Sequence, residues 1–292
     1  MVRTTPAPRI DIAAAIPAFA ALAKQTVRLH PRSGSEPPMN ASKLGGRFLW
    51  SQDESWPICT EPKGEREESF SPPHEHMYVP VLQLRRDEFP ELAFPDGTNL
   101  FQLLWCPNNH ELSHSPVRKV FWRAEIEITD PLERMPHPTP VEEEYLPRPC
   151  QLHPERVTEY PGGSDLPEVL SGTLQQWEEE NENESIYFSE LSTAPGTKLG
   201  GYPNWIQGTW TLDCDCGHIM EHLLPIASEE VFGREWLRWC PIEELQVGYR
   251  YLYALQAANR STGIMLGDAG NLYVFICRHC QNWPVASIMQ CH

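Results

Sequence analysis

With 292 residues, 40% of them apolar and ten tryptophans, the chain has ample material for a folded core. Its 29 prolines, about twice the average share of ~5%, argue against an all-helical architecture and for short strands joined by turns. The net charge of -17 argues against direct nucleic-acid binding, which rests on phosphate neutralisation by Lys and Arg. It leaves room for a basic partner, although acidity is more simply a solubility trait.

In chain order, residues 1–40 form a lead-in. Asp11 stands where it would cap a helix over 12–25, with Ile12, Ile16, Phe19, Leu22 and Ala23 near one face. Pro17 inside that span confines the helix to the part after it. Residues 26–30 alternate like a strand, and 31–40 read as a loop.

Residues 41–130 read as a β-rich unit. It opens with Ser42-Lys-Leu-Gly-Gly-Arg-Phe-Leu-Trp50 and Trp56-Pro-Ile-Cys59. Buried strands follow over 78–84 and 99–106, separated by the turn signal Phe94-Pro-Asp-Gly97, with one or two more over 117–128. Residues 131–196 form a linker, rich in Pro and Glu up to 149, with a helix over 166–180 that is acidic at its far end.

Residues 197–292 then repeat the order of the first unit. Lys198-Leu-Gly-Gly201 matches Lys43-Leu-Gly-Gly46, and Tyr202-Pro-Asn-Trp205 matches Arg47-Phe-Leu-Trp50. Residues 220–226 stand for 79–84, and Asn271-Leu-Tyr-Val-Phe-Ile276 for Asn99-Leu-Phe-Gln-Leu-Leu104. Four matches in one order indicate an internal duplication, with an insertion in the second copy near 228–246. The expected fold class is therefore β-rich α+β: two related sheet units in one compact body, an N-terminal helix and a helix between the copies. The paired glycines suit a turn that needs positive φ or close backbone approach.

The second copy carries Cys214-Asp-Cys216 and Cys277-Arg-His-Cys280. Residues 10–23 lack a basic stretch followed by an uninterrupted apolar core, and no run approaches the ~20 apolar residues of a membrane span. A cytoplasmic chain with reduced thiols is the expectation, in which paired cysteines read as metal ligands. Four thiolates in two knuckles suit a closed, tetrahedral structural zinc site made by Cys214, Cys216, Cys277 and Cys280. His218, His279, Cys291 and His292 stand nearby as spare ligands. A looser set, Cys59, His74, His76, Cys106 and His110, marks either a second site or the remnant of one. No G-x-S-x-G, Walker loop, H-E-x-x-H or G-x-G-x-x-G is present, and Gly267-Asp-Ala-Gly270 reads as a turn.

Lys198-Leu-Gly-Gly-Tyr-Pro-Asn-Trp-Ile-Gln207, Cys216-Gly-x-x-Met220, Leu223-Leu-Pro-Ile226 and Gly267-Asp-Ala-Gly-Asn-Leu-Tyr-Val-Phe275 resemble the YwqG-like bacterial family of unknown function, over residues 40–292. The second half is also similar to the eukaryotic programmed-cell-death-two proteins and their yeast ribosome-maturation relative. That resemblance implies a dedicated chaperone for a newly made ribosomal protein in the eukaryotic relatives, peptide binding or toxin immunity in the bacterial ones, and no enzymatic activity. Here the first knuckle is Cys-x-Cys instead of Cys-x-x-Cys, which makes Cys214 the ligand least supported by the resemblance. Three functions compete: a chaperone-like module that holds a protein or peptide client, an immunity-type toxin inhibitor, and a metal-dependent enzyme. Trp50, Trp205 and Gln207, beside the repeated turns, are the candidate ligand-binding residues.

Overall fold

The computed structural model describes residues 2–60, 76–108, 110, 115–138, 141–182, 185–231, 236–245 and 256–292. They form a β-rich fold with several antiparallel sheets and few helices. The chain divides into two compact units, and neither is a continuous stretch. Unit 1 takes residues 1–30, 153–259 and 273–286; unit 2 takes 31–152, 260–272 and 287–292.

The expected N-terminal helix is shorter and lies on the other side of Pro17. Asp11 caps α1 (Ile12–Ala15), its Oδ1 accepting from the N–H groups of Ala13 and Ala14 at 3.0 and 3.2 Å. Ile16, which precedes the proline, is pushed to extended backbone at φ -129°, ψ 94°, and this ends the α-helix. A 3-10 turn over Pro17–Leu22 follows, and strand β1 already begins at Lys24 (Lys24–Arg28).

Unit 2 holds β2 (Arg32–Ser33), β3 (Lys43–Leu44), β4 (Ile58–Cys59), β5 (His76–Met77), β6 (Val79–Arg85), β7 (Leu100–Trp105), β8 (Arg118–Arg123) and β9 (Cys150–Gln151). Its main sheet runs β2-β9-β3-β6-β7-β8, and β4 pairs with β5 alone. Strands β6 and β7 are the expected apolar runs, and Pro80 sits at a register shift between Pro80 and Leu82, where a strand tolerates a missing N–H. Gln83 and Gln102, register partners on these strands, are both wholly buried. Gln102 Nε2 donates to Gln83 Oε1 at 2.9 Å and to Leu49 O at 2.7 Å; Gln83 Nε2 donates to the carbonyls of Met39 and Ala41, both at 2.9 Å. Polar groups buried in a sheet are tolerated because they are paired in this way. Trp50 anchors the adjoining apolar cluster of Phe48, Tyr78, Leu104 and Cys106.

In unit 1, β10 (Glu155–Glu159), β1 and β11 (Lys198–Gly200) form a sheet with β1 in the middle. Strands β9 and β10 both fall in the stretch read as linker. They are too short, and too mixed in polarity, to give a periodic apolar signal. Helix α2 (Glu168–Glu180) forms where expected, and Phe19, Leu174, Tyr187 and Leu191 share one core cluster. Strand β12 (Glu221–Ala227) lies next to β11 and heads the sheet order β12-β13-β14, with β13 (Asn271–Ile276) and β14 (Val285–Gln290).

Both Lys-Leu-Gly-Gly segments make the same turn. Gly45 and Gly46 have φ of 64° and 71°, and Gly200 and Gly201 have φ of 71° and 70°. A Cβ on Gly201 would overlap the Glu159 carboxylate, and one on Gly45 would lie 2.6 Å from the Arg148 carbonyl oxygen. The lysines differ in their partners. Lys198 Nζ meets Glu159 Oε2 at 2.6 Å, with both side chains 0% exposed. Lys43 Nζ donates to the Pro38 carbonyl at 2.6 Å, and burial pulls its ammonium down to about 8 from 10.5.

Two outcomes are expected. Lys198→Met leaves the Glu159 carboxylate buried without its cation and should cost about 3–5 kcal/mol in denaturant unfolding. For Lys43, the unfolded chain keeps its proton up to 10.5, whereas the folded chain releases it from about 8. Between those values the unfolded state binds more protons. The stability of the wild type relative to Lys43→Met should therefore rise with pH across that window, and matched denaturation curves measure it.

Candidate metal centre

The first knuckle is a three-residue hairpin. Cys214 N–H donates to His218 O at 2.9 Å, Gly217 N–H donates to Cys214 O at 2.8 Å, and Gly217 has φ 83°. A left-handed glycine closing such a turn is the ordinary solution for a hairpin of this length. The ladder continues through the Asp213–Ile219 bridge and Met220 N–H to Leu212 O at 2.8 Å, leading into β12. The short Cys-x-Cys spacing follows from this turn, which sets both sulfurs on one side of the hairpin tip.

The second knuckle leaves β13. Cys277 N–H donates to Pro284 O at 3.0 Å, and Trp283 N–H donates to Cys280 O at 3.1 Å, so the loop folds back toward β14. Because β12 and β13 are neighbours, the knuckles meet at one end of their sheet. Arg278 pairs with Glu221, and the His218 and His279 rings stack with centroids 3.8 Å apart.

Cys214 Sγ lies 3.7 Å from Cys280 Sγ, and Cys216 Sγ lies 3.6 Å from Cys277 Sγ. All four sulfurs lie within 4.8 Å of one another. A tetrahedron with metal–sulfur bonds of about 2.3 Å has sulfur–sulfur edges of about 3.8 Å, so the four thiols suit a metal ion at their centre. All four expected ligands are brought together. His218 Nδ1 is 3.4 Å from Cys216 Sγ, a neighbour of the ligand set. Cys291 and His292 belong to unit 2, whereas the four cysteines belong to unit 1.

The thiols do not ionise alike. The backbone N–H and then the imidazole of His218 draw the Cys216 thiol down to about 6, while hydrogen bonds with Cys216 and Cys214 push Cys280 up to about 12. Four clustered thiolates repel one another, and a central cation is what lets all four coexist.

In unit 2, Cys59, Cys106 and His110 converge within 4.8 Å of one another, all buried. Cys59 Sγ is 3.7 Å from His110 Nε2, and Asn108 Nδ2 donates to Cys106 Sγ at 3.6 Å. His76 faces Cys59 in the β4–β5 register but stands outside this group. His74 lies outside the described residues.

The candidate ligand-binding residues fall in both units. Trp50, 0% exposed in unit 2, packs against Trp56 and Phe121 beneath the Arg123 guanidinium, as a core anchor does. Trp205 is half-buried in unit 1; its ring lies 4.8 Å from that of Tyr273, and its Nε1 donates to Asp165 at 3.1 Å. Gln207 is exposed. Ile219 on the knuckle hairpin and Trp210 just before it, 64% and 58% exposed, are not separable from core residues by their spacing in the sequence.

The sequence matches a family model described as a domain of unknown function (DUF1963) over residues 42–279. The chain belongs to that family. The match takes in both Lys-Leu-Gly-Gly turns and three of the four clustered cysteines, and it stops one residue before Cys280. The family carries no catalytic assignment. No curated protein matches the chain. Among the described residues, no helix is long and apolar enough to cross a membrane.

In chelator-treated protein at pH 7, Cys216 should alkylate before Cys214, Cys277 and Cys280, being both exposed and ionised. Mass mapping of iodoacetamide adducts over time reads this order directly.

Proposed function

We propose that this family member is a non-enzymatic protein- or peptide-binding module, chaperone-like in action, whose binding hairpin is held by structural zinc. The observation that carries this reading is the knuckle hairpin itself. It presents Ile219 to solvent, with Trp210 exposed just before its first strand and the exposed carboxylates Asp213 and Asp215 in the same stretch. Exposed apolar residues close in sequence to exposed acids suit a basic segment of a client protein, and the overall charge of -17 favours the same partner. Trp205, half-buried, and Gln207, exposed, lie in sequence between this hairpin and the Lys-Leu-Gly-Gly turn and are proposed as part of the same binding surface.

Cys214, Cys216, Cys277 and Cys280 would hold the zinc. Four thiolate ligands close the coordination sphere, so the ion contributes folding energy and leaves no position for a substrate. None of the nine cysteines forms a disulfide, which supports a reducing compartment such as the cytoplasm. Kinship with the YwqG-like and programmed-cell-death-two proteins is part of the same proposal, on the shared turn, knuckle and strand signatures. So is descent of 41–130 and 197–292 from one duplicated unit. Its support is the parallel between β3-β6-β7-β8 and the run β11, β12, β13, β14, each opening on the same double-glycine turn.

Affinity capture from native cells, run with the wild type, Trp210→Ala and Ile219→Glu, tests the binding role. A basic protein enriched by the wild type, lost in both variants and released by raised salt, is the expected result. Equal capture by wild type and variants, or recovery of acidic proteins alone, overturns it. For the ion, Cys277→Ser should lose one equivalent of zinc, with a melting temperature lower by on the order of 10 °C or more. An unchanged zinc content and melting temperature refutes the zinc site without touching the binding surface.

A further inference from the structure

We infer that Cys59, Cys106 and His110 form a second metal site in unit 2, one that takes a soft, thiophilic ion, zinc or copper(I). The first support is convergence. Two sulfurs and an imidazole nitrogen from two separate places in the sequence, Cys59 and the Cys106–His110 return, lie within 4.8 Å of one another. The 3.7 Å between Cys59 Sγ and His110 Nε2 is close to the ~3.5 Å separating a sulfur and a nitrogen on one tetrahedral ion, given bonds of about 2.3 and 2.0 Å.

The surroundings choose the class of ion. Cys59 and Cys106 belong to the buried cluster with Phe48, Trp50, Tyr78 and Leu104, and His110 is buried as well. Thiolates and imidazole are soft or borderline donors, which hard cations such as magnesium and calcium disfavour. Two thiolates and one neutral imidazole leave a zinc complex uncharged and a copper(I) complex singly negative, low charges that an apolar interior tolerates. Binding releases the two thiol protons to solvent and involves no change of oxidation state.

Placement in the fold is the independent support. Cys106 directly follows β7 as Cys277 directly follows β13. Each closes the return to the next strand with its own N–H, Cys106 to Val117 O at 2.8 Å and Cys277 to Pro284 O at 3.0 Å. His110 then stands four residues beyond Cys106, where Cys280 stands three beyond Cys277. In each unit the remaining ligands precede the strand that comes before this hairpin, Cys59 ahead of β5 and β6, and Cys214 with Cys216 ahead of β12. The two clusters occupy matching positions with different donors, three in one and four in the other. Loading of the unit 2 site does not require that of the four-cysteine site.

The test is stoichiometry on the full chain. Cobalt(II) titration of the metal-free wild type should reach two equivalents, in two steps with distinct thiolate charge-transfer spectra. Cys277→Ser, Cys59→Ala and His110→Gln should each lose one equivalent, and Cys59→Ala should keep the four-thiolate spectrum. Elemental analysis of protein purified from native cells then separates zinc from copper. A folded wild type that stops at one equivalent, all of it removed by Cys277→Ser, overturns the proposal. So does unchanged stoichiometry in both Cys59→Ala and His110→Gln. The wild-type titration decides even if a variant fails to fold.

Discussion

Unit 1 depends on one buried carboxylate. Glu159, at the end of β10, accepts from Lys198 Nζ at 2.6 Å, Ala194 N–H at 2.8 Å and Tyr202 N–H at 2.5 Å. It thereby ties the approach to β11, the strand itself and the exit of its double-glycine turn to a single side chain. A buried anion is costly unless its attractions are well placed, and here three donors share the compensation. The same carboxylate fills the space that any side chain at Gly201 would need, so ion pair and glycine turn are one constraint. Unit 2 builds the same turn around an exposed acid: Glu36 Oε1 accepts from Arg47 N–H at 2.8 Å and lies 3.2 Å from where a Cβ on Gly46 would stand, but it does not pair with the turn's lysine. Lys43 rests on a carbonyl, and the Gln83–Gln102 pair carries the cross-strand polar contacts instead.

This difference makes the candidate metal centre easier to understand. The hairpin at Cys214–His218 is fixed by its own backbone and by Gly217, and β12 then runs from it beside the strand that Glu159 secures. The sulfurs are thus delivered by secondary structure, and what remains is their mutual electrostatics. One thiol, held by His218, gives up its proton easily, and Cys280 holds on to its own.

Much of this was legible in the sequence, for specific reasons. The apolar runs at 79–85, 100–105 and 271–276 announce buried strands because nearly every residue in them is inside. The four cysteines were identifiable by their pairing beside strands. Strands β9 and β10 were not, since a two-residue bridge and an alternation of Glu, Arg and Thr look like loop. The N-terminal helix lies before Pro17 and not after it, because the proline excludes helical backbone at Ile16 and so acts as a stop. The division into units was invisible for a different reason. It is drawn by contacts between distant segments, and residues 260–272 and 273–286 join different units with no break in composition between them.

That interleaving bears on how the chain is made. Unit 1 needs residues 273–286 and unit 2 needs 287–292, so neither can reach its final form while only its earlier segments have left the ribosome. Vectorial synthesis usually lets an N-terminal domain fold first and shelter its apolar surface. Here the long apolar strands β6 and β7 emerge well before their unit can be completed. The six-stranded sheet that holds them nevertheless lies wholly within residues 32–151, so it can pair early, and synthesis of the last segment supplies the closing pieces of both units.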